Sequence, residues 1–350
     1  MVRLGVLIMR HIIFGLLSVA LLGCGARFEP ESSLASASAC ESGWQPLTQP
    51  RVGSEPDSLW FFQGELVYSD RTANLIEAQP IDGGAPRLVG DFSGDATFLV
   101  GDQVYFPIQN NFLYQVPVSG GLATVATAPI TSGQSEVSYA LSPPWFAWLT
   151  WDIDVGKLDV RATRLDRSVS PRLLGTVDDF SDPLLEIVDG SIVIAGRATT
   201  GSRVFAVSVD DGSTTSFSDS ALPIGLDTRQ IYYFQNAGFD PSSLFVTPLA
   251  GGSMSPFWPT KPSSVLPSRV WPSDDGGWII SALESFDDGK RHHSLWSLSA
   301  DGQAVRLGCD AKDQLFLVEQ ARPAITPDAV YIIVDSNPYG TWRIVKTPRR

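Results

Sequence analysis

Apolar residues recur at every second position in short bursts along this chain, and each burst stops at a polar turn. "QVYFPIQ" runs towards "FLYQVPV" and a Gly-Gly, "IYYFQNA" is followed by "SLFVTPLAGG", and "GWIISALES" by "SLWSLSADG". "WFAWLTWDID" with "LDVRATRLD" and "SIVIAGRAT" with "RVFAVSVDDG" keep the same order. Aromatic and β-branched residues at near-alternate positions, bounded by Gly, Asp, Asn and Ser, predict strands joined as hairpins. The turns fall at Gly83-Gly84, Gly120-Gly121, Asp211-Gly212, Gly251-Gly252 and Asp301-Gly302, with Asp166-Arg167-Ser168 standing where one more is due. Their spacing of about 37 to 50 residues suits propeller blades.

Each unit supplies four strands. A four-stranded meander cannot cover both of its own faces, so repeated units bury them against one another around an axis. The last unit, "AVYIIVDSN" and "TWRIVKTPRR", runs out before an outermost strand. A spare segment, "WQPLTQPR" (Trp44 to Arg51), precedes the first complete unit and is similar in form to the outer strands "PRLVG" and "PRLLG". Pairing it with the last unit would remove two free sheet edges. The expected fold is therefore all-β: a seven-bladed β-propeller of four-stranded antiparallel blades, closed by an N-terminal strand that completes the last blade. A Pro recurs near the end of the third strand, in Tyr114-Gln115-Val116-Pro117, Phe245-Val246-Thr247-Pro248 and Gln79-Pro80, where the ladder is ending.

Composition agrees with this reading. The 350 residues include 43% hydrophobic residues and 10 Trp, enough for a large core, while 31 Gly and 25 Pro against only 18% charged residues favour many turns over salt-bridged helices. The formal charge is -13, and removing residues 1–23, which hold Arg3 and Arg10 but no acid, leaves -15. Nucleic acid is excluded as an expected partner, because binding phosphates requires clustered Lys and Arg.

The N-terminus changes the picture more. Arg3 and Arg10 precede an apolar run, Ile12 to Leu22, that is shorter than the roughly 20 residues of a membrane span and suits the core of a secretory signal. Leu21-Leu22-Gly23-Cys24 then resembles the bacterial lipoprotein box, although Leu22 stands where a small residue is commoner. The resemblance implies cleavage before Cys24 and acylation of that residue, with more than one chain giving stable anchoring; Gly25 after it implies sorting to the outer membrane. The expected organisation is a signal over 1–23, the lipidated Cys24 and a Ser/Ala/Glu-rich flexible tether over 24–43, and the propeller over 44–350. The phrase "LYQVPVSGG" is similar to repeats of secreted bacterial propellers, including lipoproteins with TolB-like or related domains. That resemblance implies an envelope location, facing the periplasm or the cell surface, and names no ligand.

Chemistry is sparsely supplied. With Cys24 assigned to lipid, Cys40 and Cys309 remain near the ring closure, as a disulfide suited to an oxidising compartment or as two free thiols. His292 and His293 are adjacent on an expected strand, point to opposite faces and do not suit a shared metal. Asp152, Asp154 and Asp159 flank Gly156 in "DIDVGKLD", a weak Ca²⁺ candidate against the ordinary reading of a solvated hairpin. "SFDDGKRHH" (Ser285 to His293) is a charged turn long enough to make contacts. Trp145, Trp148 and Trp151 suggest either packing between blades or an aromatic platform for sugars. No nucleophile elbow, P-loop or His-Glu-x-x-His is present. The first expectation is a monomeric, noncatalytic binding scaffold for a protein or envelope ligand, without cofactor and held to the membrane through Cys24. The alternative is an envelope glycan hydrolase or lyase using acids at the central funnel, recognisable by carboxylates and basic groups converging at the channel.

Overall fold

A computed structural model describes residues 43–349 except 92–95, 109–111, 128–134, 153–155, 179, 199–200, 219–221, 228, 235–243, 250–252, 259–260, 287–290, 311–314, 318–320 and 337–339. All regular structure among the described residues is strand, arranged in seven antiparallel sheets. Blade 1 comprises Trp60–Phe62, Glu65–Asp70, Leu75–Pro80 and Arg87–Gly90, and blade 2 Phe98–Val100, Gln103–Pro107, Leu113–Pro117 and Thr124–Val125. Blade 3 follows with Ser135–Ser142, Trp145–Asp152, Lys157–Arg164 and Arg172–Asp178, and blade 4 with Phe180–Val188, Ser191–Ala198, Gly201–Ser208 and Thr214–Ser218. Blade 5 is Leu222–Leu226, Gln230–Phe234, Leu244–Pro248 and Ser255–Pro256; blade 6 is Val265–Pro272, Trp278–Ser285, Arg291–Leu298 and Ala304–Cys309.

Blade 7 is closed by the start of the chain, as expected. Its second and third strands, Ala329–Ser336 and Thr341–Pro348, are followed outward by two short pieces, Gln45–Pro46 and Arg51–Val52, with Gln45 opposite Lys346 and Arg51 opposite Trp342. Its inner position is also split, between Leu315–Leu317 and Ala324–Ile325. A further contact stitches the inner side of the seam. Arg322 and Ser58 form a parallel bridge, Arg322 N–H donates to the Asp57 carbonyl at 3.0 Å, and Leu59 N–H donates to the Arg322 carbonyl at 2.9 Å.

Burial follows the period of two. Along Ala329–Ser336, Val330, Ile332 and Val334 pack towards blade 6 with Ile279, Leu295 and Trp44, whereas Ala329, Tyr331 and Ile333 pack towards blade 1 with Leu66 and Tyr68. Each of the seven blade interfaces has its own apolar cluster of this kind. The strands are thus buried on both faces by their neighbours, which is why the apolar bursts are dense.

The recurring Gly-containing turn has a packing role. In blades 1, 3 and 6 the outer strand carries a bulge, leaving Val89, Leu174 and Leu307 without a direct partner on the third strand. The turn of the next blade lies against the carbonyls there: a side chain on Gly212 would collide with the Leu174 carbonyl, and one on Gly120 would touch those of Leu88 and Val89. Both glycines also have positive φ, 73° and 92°. The arginine of "PRLVG" and "PRLLG" reinforces the same joint, with Arg87 donating to the Val118 carbonyl of blade 2 at 2.6 Å and Arg172 donating to the Val209 carbonyl of blade 4. Where Gly is absent, Arg167 takes φ 60° and the Asp166 carboxylate accepts from Ser168 N–H at 2.9 Å, preserving the turn.

Candidate functional site

Residues from four blades meet at Arg322. Its guanidinium lies 4.3 Å from the ring centroid of Trp60 in blade 1, and its charge is felt by Glu186 of blade 4 and acted on by Asp274 of the blade 6 hairpin. Only the axis of a seven-bladed ring brings blades 1, 4, 6 and 7 together. Arg322 is open to water although protein surrounds it on every side, which places it in the central channel.

The channel wall holds Trp60 rigidly. Its indole N–H donates to the Thr97 carbonyl at 2.7 Å and to Ser58 Oγ at 3.1 Å, and Ser58 Oγ itself donates to the Thr97 carbonyl. Asp57 Oδ2 accepts from Thr97 N–H at 3.2 Å, while Asp57 Oδ1 is buried and unpaired. The inner strands of blades 1 and 2 are thereby pinned together beneath the arginine. A guanidinium stacked on an aromatic face keeps its in-plane N–H donors free for a planar anion, and no side-chain hydrogen bond or ion pair of Arg322 exists among the described residues.

The electrostatics are unequal. Burial lowers the Arg322 guanidinium from its usual value, opposed by Glu186 and Asp274. Burial raises Glu186, opposed by Arg322 and reinforced by Asp227. Asp227 is itself fully engaged: Oδ1 accepts from Arg229 and Gln230 N–H at 2.7 and 2.9 Å, and Oδ2 accepts from Tyr232 Oη at 2.6 Å. Burial also pushes Asp57 up to about 6, with Arg71 opposing. Among the described residues, carboxylates and a guanidinium with no side-chain hydrogen bond thus act on one another across the channel, a setting able to grip a small anion and to hold a cation nearby. Carboxylates and a basic group do converge here.

None of these groups was singled out by motif. The available signal was a charged residue within or just before an otherwise apolar inner strand, as in "LLEIVDG" and "ARPAI".

The other candidates have different fates. Trp148 is fully buried between blades 2 and 3, while Trp145 and Trp151 pack on the opposite face towards blade 4. They belong to the blade interfaces and form no common platform. Asp159 is buried and ion-paired with Arg161 at 2.9 Å; Asp152 ends its strand, and Asp154 lies outside the described residues. Among the described residues no cluster of three or more His, Cys, Asp or Glu is arranged to hold a metal. His292 Nδ1 lies 3.3 Å from Asp310, and its ring packs edge-on against Phe286; the His293 backbone N–H donates to the same Asp310 carboxylate. Residues 287–290 of the charged turn lie outside the described residues. Cys309 is fully buried at the end of the blade 6 outer strand, while Cys24 and Cys40 both lie outside the described residues.

No protein-family model matches the chain, and no curated protein does. Solved structures match its fold. An oligogalacturonate lyase in complex with manganese aligns over 90% of this chain and 95% of its own, with 9% identity and a TM-score of 0.64. The oligogalacturonate lyase of Vibrio parahaemolyticus aligns over 87% and 92%, with 10% identity and a TM-score of 0.64. An acylaminoacyl peptidase of Pyrococcus horikoshii aligns over 85% of this chain and 52% of its own, with 10% identity and a TM-score of 0.57. At such identities the likeness is one of fold, and the class it defines is that of seven-bladed β-propellers.

Proposed function

We propose that this chain is a lipid-anchored bacterial envelope protein whose propeller acts as a noncatalytic binding scaffold, with its ligand seated in the central channel. The observation that carries the binding reading is Arg322, a solvent-open guanidinium stacked on Trp60 at the axis with no side-chain hydrogen bond to another described residue. The anchor rests on the apolar run and on Leu21-Leu22-Gly23-Cys24, and the outer-membrane address on Gly25. Two measurements test it. Palmitate label is expected in the wild-type protein and absent from Cys24→Ala, which should leave the membrane fraction; an unlabelled wild type rejects the anchor. Pull-down from envelope extract is expected to recover a partner that Arg322→Gln loses, and recovery of nothing at any salt rejects the scaffold.

Asp57 favours a second reading. A carboxyl pushed up to about 6 with one unpaired oxygen is suited to proton transfer near neutrality, and the fold is shared with oligogalacturonate lyases. Turnover of an acidic or neutral glycan by the wild type and its loss in Asp57→Asn would establish the enzyme; no turnover across such a panel leaves the scaffold.

The ring closure also bears on the envelope assignment. Gly43 lies against the Leu307 carbonyl and Trp44 against Gly308, so Cys40 is three residues from a chain segment that touches the neighbour of Cys309. We assign Cys40 as the partner of Cys309, a bond suited to an oxidising compartment.

A further inference from the structure

Among the described residues, the channel region contains two charges of opposite sign that have no ion-pair partner. Arg322 sits over Trp60 with no side-chain hydrogen bond among the described residues, and Glu186, on the inner strand of blade 4, is close enough to feel its charge. Each feels the other through space, with no ion pair between them. The same space receives the field of Asp227 and Asp274, so the surroundings of the guanidinium are acidic.

This arrangement discriminates between ligand types. A polyanion would be attracted by Arg322 but repelled by the carboxylates around it. A simple cation would meet the carboxylates but would be repelled by Arg322 and leave its donors to water. A small molecule carrying a carboxylate at one end and an ammonium at the other satisfies both. Its carboxylate would take the planar fork of Arg322, and its ammonium would face Glu186. Asp57 makes no ion pair with Arg322, its Oδ2 accepting instead from Thr97 N–H.

We propose that the central channel binds a small zwitterion of the amino-acid or dipeptide class, with Arg322 holding its carboxylate against Trp60 and Glu186 facing its ammonium. This rests on the binding reading given above and deepens it. The test is calorimetric titration of the purified full-length chain in detergent with three ligands of matched size: alanyl-alanine, N-acetyl-alanyl-alanine and alanyl-alanine amide. The zwitterion is expected to bind, and each capped form to bind at least about tenfold more weakly, the loss expected for one charge-assisted bond. Arg322→Gln should abolish binding of the zwitterion. Glu186→Gln should leave carboxylate binding intact and equalise the zwitterion with its acetylated form. The proposal is overturned if none of the three binds, if the acetylated form matches the zwitterion on the wild type, or if either variant leaves the pattern unchanged. Failure of the dipeptides beside a recovered envelope partner sinks this inference alone; dipeptide binding by a chain that recovers no partner sinks the scaffold and leaves this inference standing.

Discussion

Asp57, on the channel wall, makes the fold sensitive to pH. Burial pushes Asp57 up to about 6, above the value it has in an unfolded chain. The folded state therefore holds the proton more tightly, and stability must fall as pH rises from about 4 through about 6, then level off. The cost is about 3 kcal/mol at most, and Asp57→Asn should remove it while keeping an acceptor for Thr97 N–H. Urea unfolding at pH 4.5 and pH 7.5 checks this: the wild type should lose stability between the two, and the variant should lose markedly less. A second residue-scale prediction concerns Gly212, whose φ of 73° and contact with Leu174 leave no room for a side chain. Gly212→Ala should cost about 1–3 kcal/mol, read as a shift of the unfolding midpoint with unchanged slope. The glycine itself was visible in the sequence as a turn marker. Its close approach to the preceding blade was not, since that contact joins residues 38 positions apart.

At the scale of the strand, the closing segment depends on Arg51. This side chain lies between Tyr68 and Trp342, at 5.7 and 5.5 Å from their rings, and pairs with Asp70 at 3.2 Å and with Glu77. It therefore ties the N-terminal strand to blade 1 as well as to blade 7. Removing it leaves two largely buried carboxylates without their counter-ion, so Arg51→Ala should destabilise the ring by about 2 kcal/mol or more, and Arg51→Lys should restore only part of that. Thermal melts of the three proteins check the order. The pairing of this segment was legible in advance because an incomplete last unit and a surplus first strand match in number. The split of the inner position of blade 7 was not legible, because Leu315–Leu317 and Ala324–Ile325 both pair with Ala329–Ser336 across an interruption in the strand.

For the molecule as a whole, closure determines kinetic and thermodynamic integrity. A Cys40–Cys309 bond would close nearly the whole ring covalently, and its removal should cost about 2–5 kcal/mol. Cys309→Ser is expected to unfold at lower urea than the wild type and to become more susceptible to proteolysis at the N-terminal segment. Two reactive thiols in non-reduced mature protein would reject the bond. The three tryptophans of blade 3 illustrate the same dependence on the ring: they are adjacent in the sequence pattern, yet neighbouring blades claim them on opposite faces.

The sequence by itself determined the strands, their grouping in fours, the number of blades and the strand that closes them. These follow from alternation and turn chemistry, which act between residues close in the chain, and from the need to cover each sheet. Tertiary structure alone decided the channel. Trp60, Glu186, Asp274 and Arg322 have no shared spacing and come from four separate blades. They meet because a closed ring directs one edge of every sheet to a common axis, and a meeting of that kind leaves no periodic trace along the chain.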